Sequence, residues 1–331
     1  MTARARALIY LALSLCAGTL ELGVLLMAIR YSLPLVWLPV LALSYQLGNL
    51  TPKPLLLPRW AIAGTALISP VLMITSPGLP WLLGVYALVA SIAVQGGRSL
   101  SQQEGVSTTT KRIARVSGFL LAFAFGPAFA CLASVLILIS VCWRGHSSDH
   151  SPPSRRSAAP GILGVTMVLH QIHYFTYAPI VPWLLAAQSG RQSLSVCAGF
   201  AAGWVSYLLA PSVFGRRVAA SVFSFGHLLA AAALAGLAFS HVLPFTIGLW
   251  FATGFGGGTV YVLRGMEKAH PLNCDLDIWE AVGHVAGTAL AVLLLVLSMH
   301  SATPFAAASV VAALIGILAP YALRHAVPQL R

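Results

Sequence analysis

The sequence carries very little charge for its length. Only 8% of its 331 residues are Asp, Glu, Lys or Arg, and 58% are hydrophobic. Water-soluble domains contain about 25% charged residues, and no stretch of this chain is polar enough to form a separate soluble domain. The composition excludes a soluble enzyme and a disordered regulator. It predicts an all-α polytopic membrane protein.

Cysteine is also scarce, and its positions form no pattern. The five cysteines are scattered, with no CxxC pair, which excludes a disulfide scaffold and a cysteine-based metal site. The Gly-rich stretch 254–258 lacks the preceding strand that a nucleotide-binding loop requires. We therefore expect no cofactor and no ATP-driven chemistry within this chain.

Acidic residues are fewer than basic ones. Seven Asp and Glu stand against 19 Lys and Arg, a formal charge of +12. The basic residues lie between apolar runs, where they act as topology signals. They do not form a phosphate-binding face, so no nucleic-acid partner is expected.

Apolar runs long enough to cross a bilayer follow one another along the chain. Ten are clear: 7–29, 31–50, 60–76, 79–97, 161–187, 194–214, 218–240, 242–263, 277–299 and 303–323. An eleventh run, 116–143, is long for one crossing and short for two. The sequence therefore predicts about 12 transmembrane helices, or 11 if this run crosses once.

The distribution of basic residues favours two crossings in the run 116–143. With two, all Lys and Arg except Arg30 and Arg191 fall on the side of the amino terminus, whereas one crossing divides them almost equally. Gly126 and Pro127 would allow the bend. We expect an inner-membrane protein with both termini in the cytoplasm.

The chain also has an internal repeat across a polar linker. The Ser- and Pro-rich segment 144–160 separates two predicted helical bundles, 1–143 and 161–331. Segment 79–86 matches segment 243–250 as Leu-Pro-aromatic-x-aliphatic-Gly-x-aromatic. Further along, Arg115-x-x-Gly118 matches Glu280-x-x-Gly283 at nearly the same distance after an arginine. This spacing indicates a parallel repeat of two six-helix bundles.

These features resemble the major facilitator superfamily. The segment Gly215-Arg216-Arg217 is similar to the family's loop motif, although the family's acidic residue is absent, and Gly126-Pro127 is similar to its antiporter motif. The resemblance implies a monomeric secondary transporter that moves a small molecule by alternating access. It also implies that the first, fourth, seventh and tenth helices line a central cavity.

Glu21 is the carboxylate expected deepest in the bilayer. An ionisable group at this depth costs about 2.5 to 3.5 kcal/mol and therefore requires a partner, a water-filled cavity or a function. Burial disfavours its charged form, which suits a proton carrier. We expect Glu21 to couple transport to protons.

A polar cluster occurs in the seventh predicted span. His170 and His173 lie three residues apart on one helical face, with Tyr174 and Tyr177 beside them. Imidazoles exchange protons at physiological pH. The family resemblance places these four residues at the cavity, where we expect contact with substrate or protons. Two imidazoles are too few for a structural metal site, and His227 is expected to serve packing.

A third candidate group lies at the start of the eleventh predicted span. Glu280 and His284 are spaced i,i+4, and we expect a gate or an ion pair with Arg115 or Arg264.

Two alternatives to the transporter remain open. A membrane metal-binding protein or enzyme would use His170, His173, Glu280 and His284 as one site. A non-transporting assembly factor could have retained the fold alone.

Overall fold

The computed structural model describes residues 3–50, 79–100, 108–124, 161–190, 193–269 and 276–326, and these residues contain no strand. The helices in this part of the chain are α1 (Ala3–Arg30), α2 (Trp37–Asn49), α3 (Pro80–Leu100), α4 (Thr108–Ala124), α5 (Ile162–Tyr177), α6 (Val181–Gln188), α7 (Ser193–Val213), α8 (Ala220–Ala238), α9 (Leu243–Gly258), α10 (Val260–Ala269), α11 (Leu276–Ser298) and α12 (Ala302–Ala326).

Six helical segments within the described ranges are long and apolar enough to cross a membrane. They are Leu11–Arg30, Leu194–Val213, Ala220–Ala238, Leu243–Lys268, Leu276–Ser298 and Ala302–Arg324. The prediction of an all-α polytopic membrane protein is confirmed. The count of 12 crossings and the pairing of two six-helix bundles stay predictions.

Most predicted spans agree with helices to within a few residues. The larger differences are at helix starts: α2 begins only at Trp37, after turns and irregular backbone over 31–36, and α4 begins at Thr108, before the predicted run 116–143. The span 60–76, the bend at Gly126-Pro127 and the linker 144–160 lie outside the described residues.

Two of the long spans contain a break in the helix. A 3₁₀ turn, Ala178–Ile180, separates α5 from α6, because Pro179 lacks the N–H that would continue the helical hydrogen bonds. Thr259 separates α9 from α10, and its hydroxyl donates to the Gly256 carbonyl at 2.6 Å. In the sequence each of these two spans is a single apolar run, 161–187 and 242–263, in which Pro179 and the glycines of 254–258 favour a bend.

The chain divides into two compact units, Met1–Pro152 with Arg191–Ala198, and Pro153–Gly190 with Gly199–Arg331. In the first unit, α1 packs closely on α4. A Cβ atom on Gly18 would lie 2.0 Å from the Arg115 carbonyl oxygen, and one on Gly118 would lie 2.2 Å from the Leu15 carbonyl oxygen. Only glycine allows these two backbones to approach so closely.

In the second unit, α5 and α11 approach each other closely at a glycine in the same way. A Cβ atom on Gly283 would lie 2.8 Å from the Val168 carbonyl oxygen of α5. One turn later, the Thr176 hydroxyl donates to the Gly287 carbonyl at 3.3 Å. In both units, therefore, the glycine of the matched sequence motif presses against the backbone of a preceding helix.

Candidate functional site

Glu21 and Arg115 form an ion pair inside the first unit. One oxygen of Glu21, Oε2, accepts hydrogen bonds from Arg115 Nε at 2.9 Å and from Nη2 at 2.5 Å. The Glu21 side chain is 13% exposed and that of Arg115 is 23% exposed. The close approach at Gly18 and Gly118 brings the start of α4 within reach of α1. The cation that faces Glu21 therefore comes from another helix.

The pair joins the deep carboxylate to a residue that the sequence placed in a different role. Arg115 and Arg264 were the two expected partners of Glu280, and the guanidinium of Arg115 binds Glu21 instead. Glu21 is also the only carboxylate among the described residues of the first unit. A hydrogen bond between a carboxylate and a guanidinium is charge-assisted and is roughly twice as strong as one between neutral groups. The pair therefore joins α4 to α1.

Three histidines meet in the second unit. His170 and His173 of α5 have ring centroids 5.4 Å apart, and each lies 5.0 Å from the ring of His227 in α8. All three side chains are fully buried, with at most 1% exposure. The sequence predicted that the first two share a face. The assignment of His227 to packing stays a prediction, and the structure adds that its ring contacts both of the other histidines.

The hydrogen bonds around His227 fix which of its nitrogens carries a proton. Nδ1 lies 2.7 Å from the carbonyl oxygen of Phe223, so it must be the N–H donor. Nε2 of neutral His227 is then an acceptor, 2.9 Å from Nδ1 of His170. His170 Nδ1 is therefore the donor of this bond, and the lone pair on His227 Nε2 accepts it.

His173 stands out within this group. Neither of its ring nitrogens has a hydrogen-bond partner among the described residues, although the side chain is completely buried. A buried polar group without a partner costs about 1–3 kcal/mol. His173 therefore carries a free energy cost that its packing does not explain.

His227 is the member of the three-histidine cluster that the sequence did not link to the other two. It lies 57 residues from His170, so spacing alone could not link the two. The available signal was a single imidazole in the middle of an apolar helix, which is costly in a membrane unless a partner or a function accounts for it.

The two tyrosines lie in an aromatic group next to the histidines. The ring of Tyr177 is 6.3 Å from His173 and 5.9 Å from Trp250, and Tyr174 is 6.1 Å from Trp250. Trp250 is itself fixed, because its Nε1 donates to the Phe200 carbonyl at 3.0 Å. Both tyrosines are buried within the second unit.

A separate charged cluster surrounds Arg264. Its guanidinium contacts Glu280 and also binds Asp277 at 2.6 Å and Glu267 at 3.2 Å. Glu280 in addition accepts a hydrogen bond from Gln171 of α5 at 3.3 Å. The cluster thus connects α10, α11 and α5, and its role as a gate stays a prediction.

His284 belongs to this region and not to the three-histidine cluster. Its ring packs at an angle of 35° against Phe175 with centroids 4.0 Å apart, and its Nε2 lies 3.9 Å from Glu280. The four residues considered as one metal site therefore lie in two separate groups. His170 and His173 belong to the three-histidine cluster, and Glu280 and His284 lie near Arg264.

The motif Gly215-Arg216-Arg217 forms the exposed loop between α7 and α8. Gly215 and Arg216 both adopt positive φ, 67° and 54°, a conformation that glycine adopts readily. The backbone oxygen of Arg217 accepts a hydrogen bond from the Tyr261 hydroxyl at 3.1 Å. The loop is thereby anchored to α10.

Comparison by sequence finds no matching family model and no similar curated protein. Comparison by structure finds solved transporters. An auto-inhibited POT family peptide transporter matches with a TM-score of 0.66 at 10% identity over 97% of both chains. The nucleoside transporter NupG matches with 0.62 at 11%, over 98% of this chain and 99% of NupG.

FucP, a major facilitator superfamily transporter in the outward conformation, matches with a TM-score of 0.55 at 12% identity, over 96% of this chain and 98% of FucP. The chain therefore has a major facilitator-like fold along almost its whole length. At these identities the likeness establishes the fold alone.

Proposed function

We propose that this protein is a secondary active transporter that moves a small molecule across the inner membrane by alternating access. The observation that carries the proposal is the fold, which is shared with solved transporters over at least 96% of the chain. The proteins compared are transporters and not enzymes, which is consistent with a non-enzymatic role. No cofactor is required for such a cycle.

The organisation of the described helices supports alternating access. Transporters of this type move one bundle against another around a central site. Here the chain divides into two compact units, and two long spans are broken at Pro179 and Thr259. Breaks of this kind allow half-helices to tilt separately.

We further propose that protons drive the cycle through Glu21. Protonation would neutralise the carboxylate and weaken its hold on Arg115, and deprotonation would restore the pair. Because Arg115 lies in α4 and Glu21 in α1, the change would alter the contact between two helices. The Arg264 and Glu280 contact would serve as a gate in the second unit.

The proposed substrate is a small polar or aromatic compound, bound in part by the face of α5 that carries Tyr174 and Tyr177. Aromatic surface combined with a few polar groups is the usual lining of a small-molecule site. His170 and His173 lie beside these tyrosines. Because His227 contacts both of them, all three form one cluster of possible ligands. We propose that the protein acts as a monomer with both termini in the cytoplasm.

An uptake screen in proteoliposomes tests the proposal. Nucleosides, short peptides and small aromatic acids would be offered with and without an inward proton gradient, and accumulation would be compared with that in protein-free vesicles. We expect at least one compound to accumulate, and to do so faster with the gradient. Correctly folded protein that accumulates nothing from a broad library in either condition would favour the non-transporting assembly factor instead.

A further inference from the structure

We propose that His170, His173 and His227 form a binding site for a divalent transition metal ion, with Zn²⁺ as the first candidate. The site lies entirely within the second unit and has three imidazole ligands. It was not predicted from the sequence, where only two of these residues were recognised together. The inference concerns metal binding and does not depend on transport.

The ligand atoms are already close enough for one ion. One ring nitrogen from each histidine lies within 4.8 Å of the corresponding nitrogens of the other two, and one pair is separated by 2.9 Å. Zn²⁺ binds imidazole nitrogen at about 2.0–2.1 Å in tetrahedral geometry, which places ligand nitrogens about 3.3 Å apart. Small rotations of the rings would satisfy this spacing.

The helices hold the three rings in place before any ion arrives. His170 and His173 are one turn apart on α5, so their side chains project from the same face. His227 approaches from α8 and packs against Phe223, with ring centroids 4.2 Å apart. Folding already orders these side chains, so metal binding does not bear that entropy cost.

The neighbours of the rings resemble the outer shell of a metal site. Histidine ligands usually donate their second ring N–H to a backbone carbonyl, which orients the ring and fixes its tautomer. His227 does this through Nδ1 and the Phe223 carbonyl at 2.7 Å. When His170 binds metal through Nδ1, its proton would move to Nε2.

His173 provides independent support for a ligand. A histidine kept only for packing is expected to satisfy at least one ring nitrogen, because an unmet buried polar group is costly. Both nitrogens of His173 lack a partner while the side chain is fully buried in the cluster. A metal ion between the three rings would remove this cost.

The ligand types decide which ions fit. Imidazole nitrogen suits Zn²⁺, Ni²⁺, Co²⁺ and copper, whereas Mg²⁺ and Ca²⁺ require oxygen ligands. The cluster contains three histidines and no carboxylate or thiolate. Three protein ligands leave the fourth tetrahedral position to water or to an anion.

Glu280 and His284 are not ligands in this arrangement. Glu280 is engaged by Arg264 and Gln171, and His284 lies against Phe175. The proposed site therefore differs from the four-residue set predicted from the sequence. A variant of His284 can serve as a control in the test.

The test uses purified full-length protein in detergent, with metal removed by chelator and then restored. Bound Zn²⁺ is measured by elemental analysis after desalting, Co²⁺ by its visible absorption, and stability by thermal unfolding with and without Zn²⁺. The variants are His173→Leu, His227→Gln, His284→Leu and, as a control, His241→Leu, whose histidine is exposed in the loop after α8.

We expect one Zn²⁺ per chain in the wild type and a higher unfolding temperature when the ion is present. His173→Leu and His227→Gln should lose affinity by at least about 100-fold, since even outer-shell changes cost 10- to 100-fold. His284→Leu and His241→Leu should bind as the wild type does. Without metal, His173→Leu should be at least as stable as the wild type, which separates ligand loss from misfolding.

Two results would overturn the proposal. One is wild-type protein that binds neither Zn²⁺ nor Co²⁺ and unfolds at the same temperature with and without them. The other is metal that is retained in His173→Leu but lost in His284→Leu, which would assign the ion to the other set. Neither result bears on the uptake screen, so the two proposals fail separately.

Discussion

Arg115 in α4 holds one carboxylate oxygen of Glu21 in α1 with two of its guanidinium nitrogens. The two residues are 94 positions apart in the chain, and both side chains are largely shielded from solvent. A pair of this kind contributes to the packing of the two helices and can also respond to a proton. The first prediction separates these roles.

Replacement of Glu21 by Gln should abolish the stimulation of uptake by a proton gradient, because the amide cannot exchange a proton. It should also lower the free energy of unfolding by about 1–3 kcal/mol, because Arg115 loses its charged acceptor. Uptake in proteoliposomes and thermal unfolding would measure the two effects.

The double variant Glu21→Gln with Arg115→Gln is the matched control. Removing both charges should recover much of the stability, since no uncompensated charge remains. Coupling should stay lost if Glu21 carries the proton. Normal gradient dependence in either variant would remove Glu21 from the mechanism.

The acidic partners of Arg264 should differ in importance. Glu280 contacts both Arg264 and Gln171 and is 28% exposed, whereas Asp277 is 69% exposed. We expect Glu280→Gln to destabilise the protein by about 1–3 kcal/mol. Asp277→Asn should change stability by less than about 1 kcal/mol, as exposed ion pairs do. Equal effects in thermal unfolding would contradict a central role for Glu280.

Two glycines of α9 should respond oppositely to alanine. A Cβ atom on Gly254 would lie 2.0 Å from the Gly203 carbonyl oxygen and from Ser206 Oγ, whereas one on Gly248 would have no atom within 4 Å. Gly254→Ala should therefore cost about 1–3 kcal/mol or more. Gly248→Ala should be neutral or stabilising by up to about 1 kcal/mol, since alanine favours helix. Similar unfolding temperatures for both variants would disprove the close contact of α7 with α9.

The predicted topology can be tested with single cysteines in a background that lacks the native ones. Arg217→Cys should be protected from an impermeant thiol reagent in intact cells, and His241→Cys should react, because one span separates the two loops. Reporter fusions at Ser148 and Arg331 should both indicate the cytoplasm. Signals from both fusions on the outer side, with the amino terminus in the cytoplasm, would show that residues 116–143 cross the membrane once.

The membrane class and the positions of most helices followed from the sequence. Hydropathy is a local property, and each apolar run must satisfy its backbone hydrogen bonds as a helix whatever surrounds it. The close helix contacts at glycines were also predictable, because small residues mark where backbones approach. The break at Pro179 could also be inferred locally, because proline lacks the N–H that continues a helix.

Side-chain partners were decided only by the tertiary structure. The partner of Glu21 and the third histidine beside His170 lie 94 and 57 residues away. Which residues meet depends on the rotation and depth of each helix against its neighbours, and packing sets these quantities. Hydropathy in an almost uniformly apolar chain is nearly the same on every face, so it could not show that His227 turns toward His170 and His173.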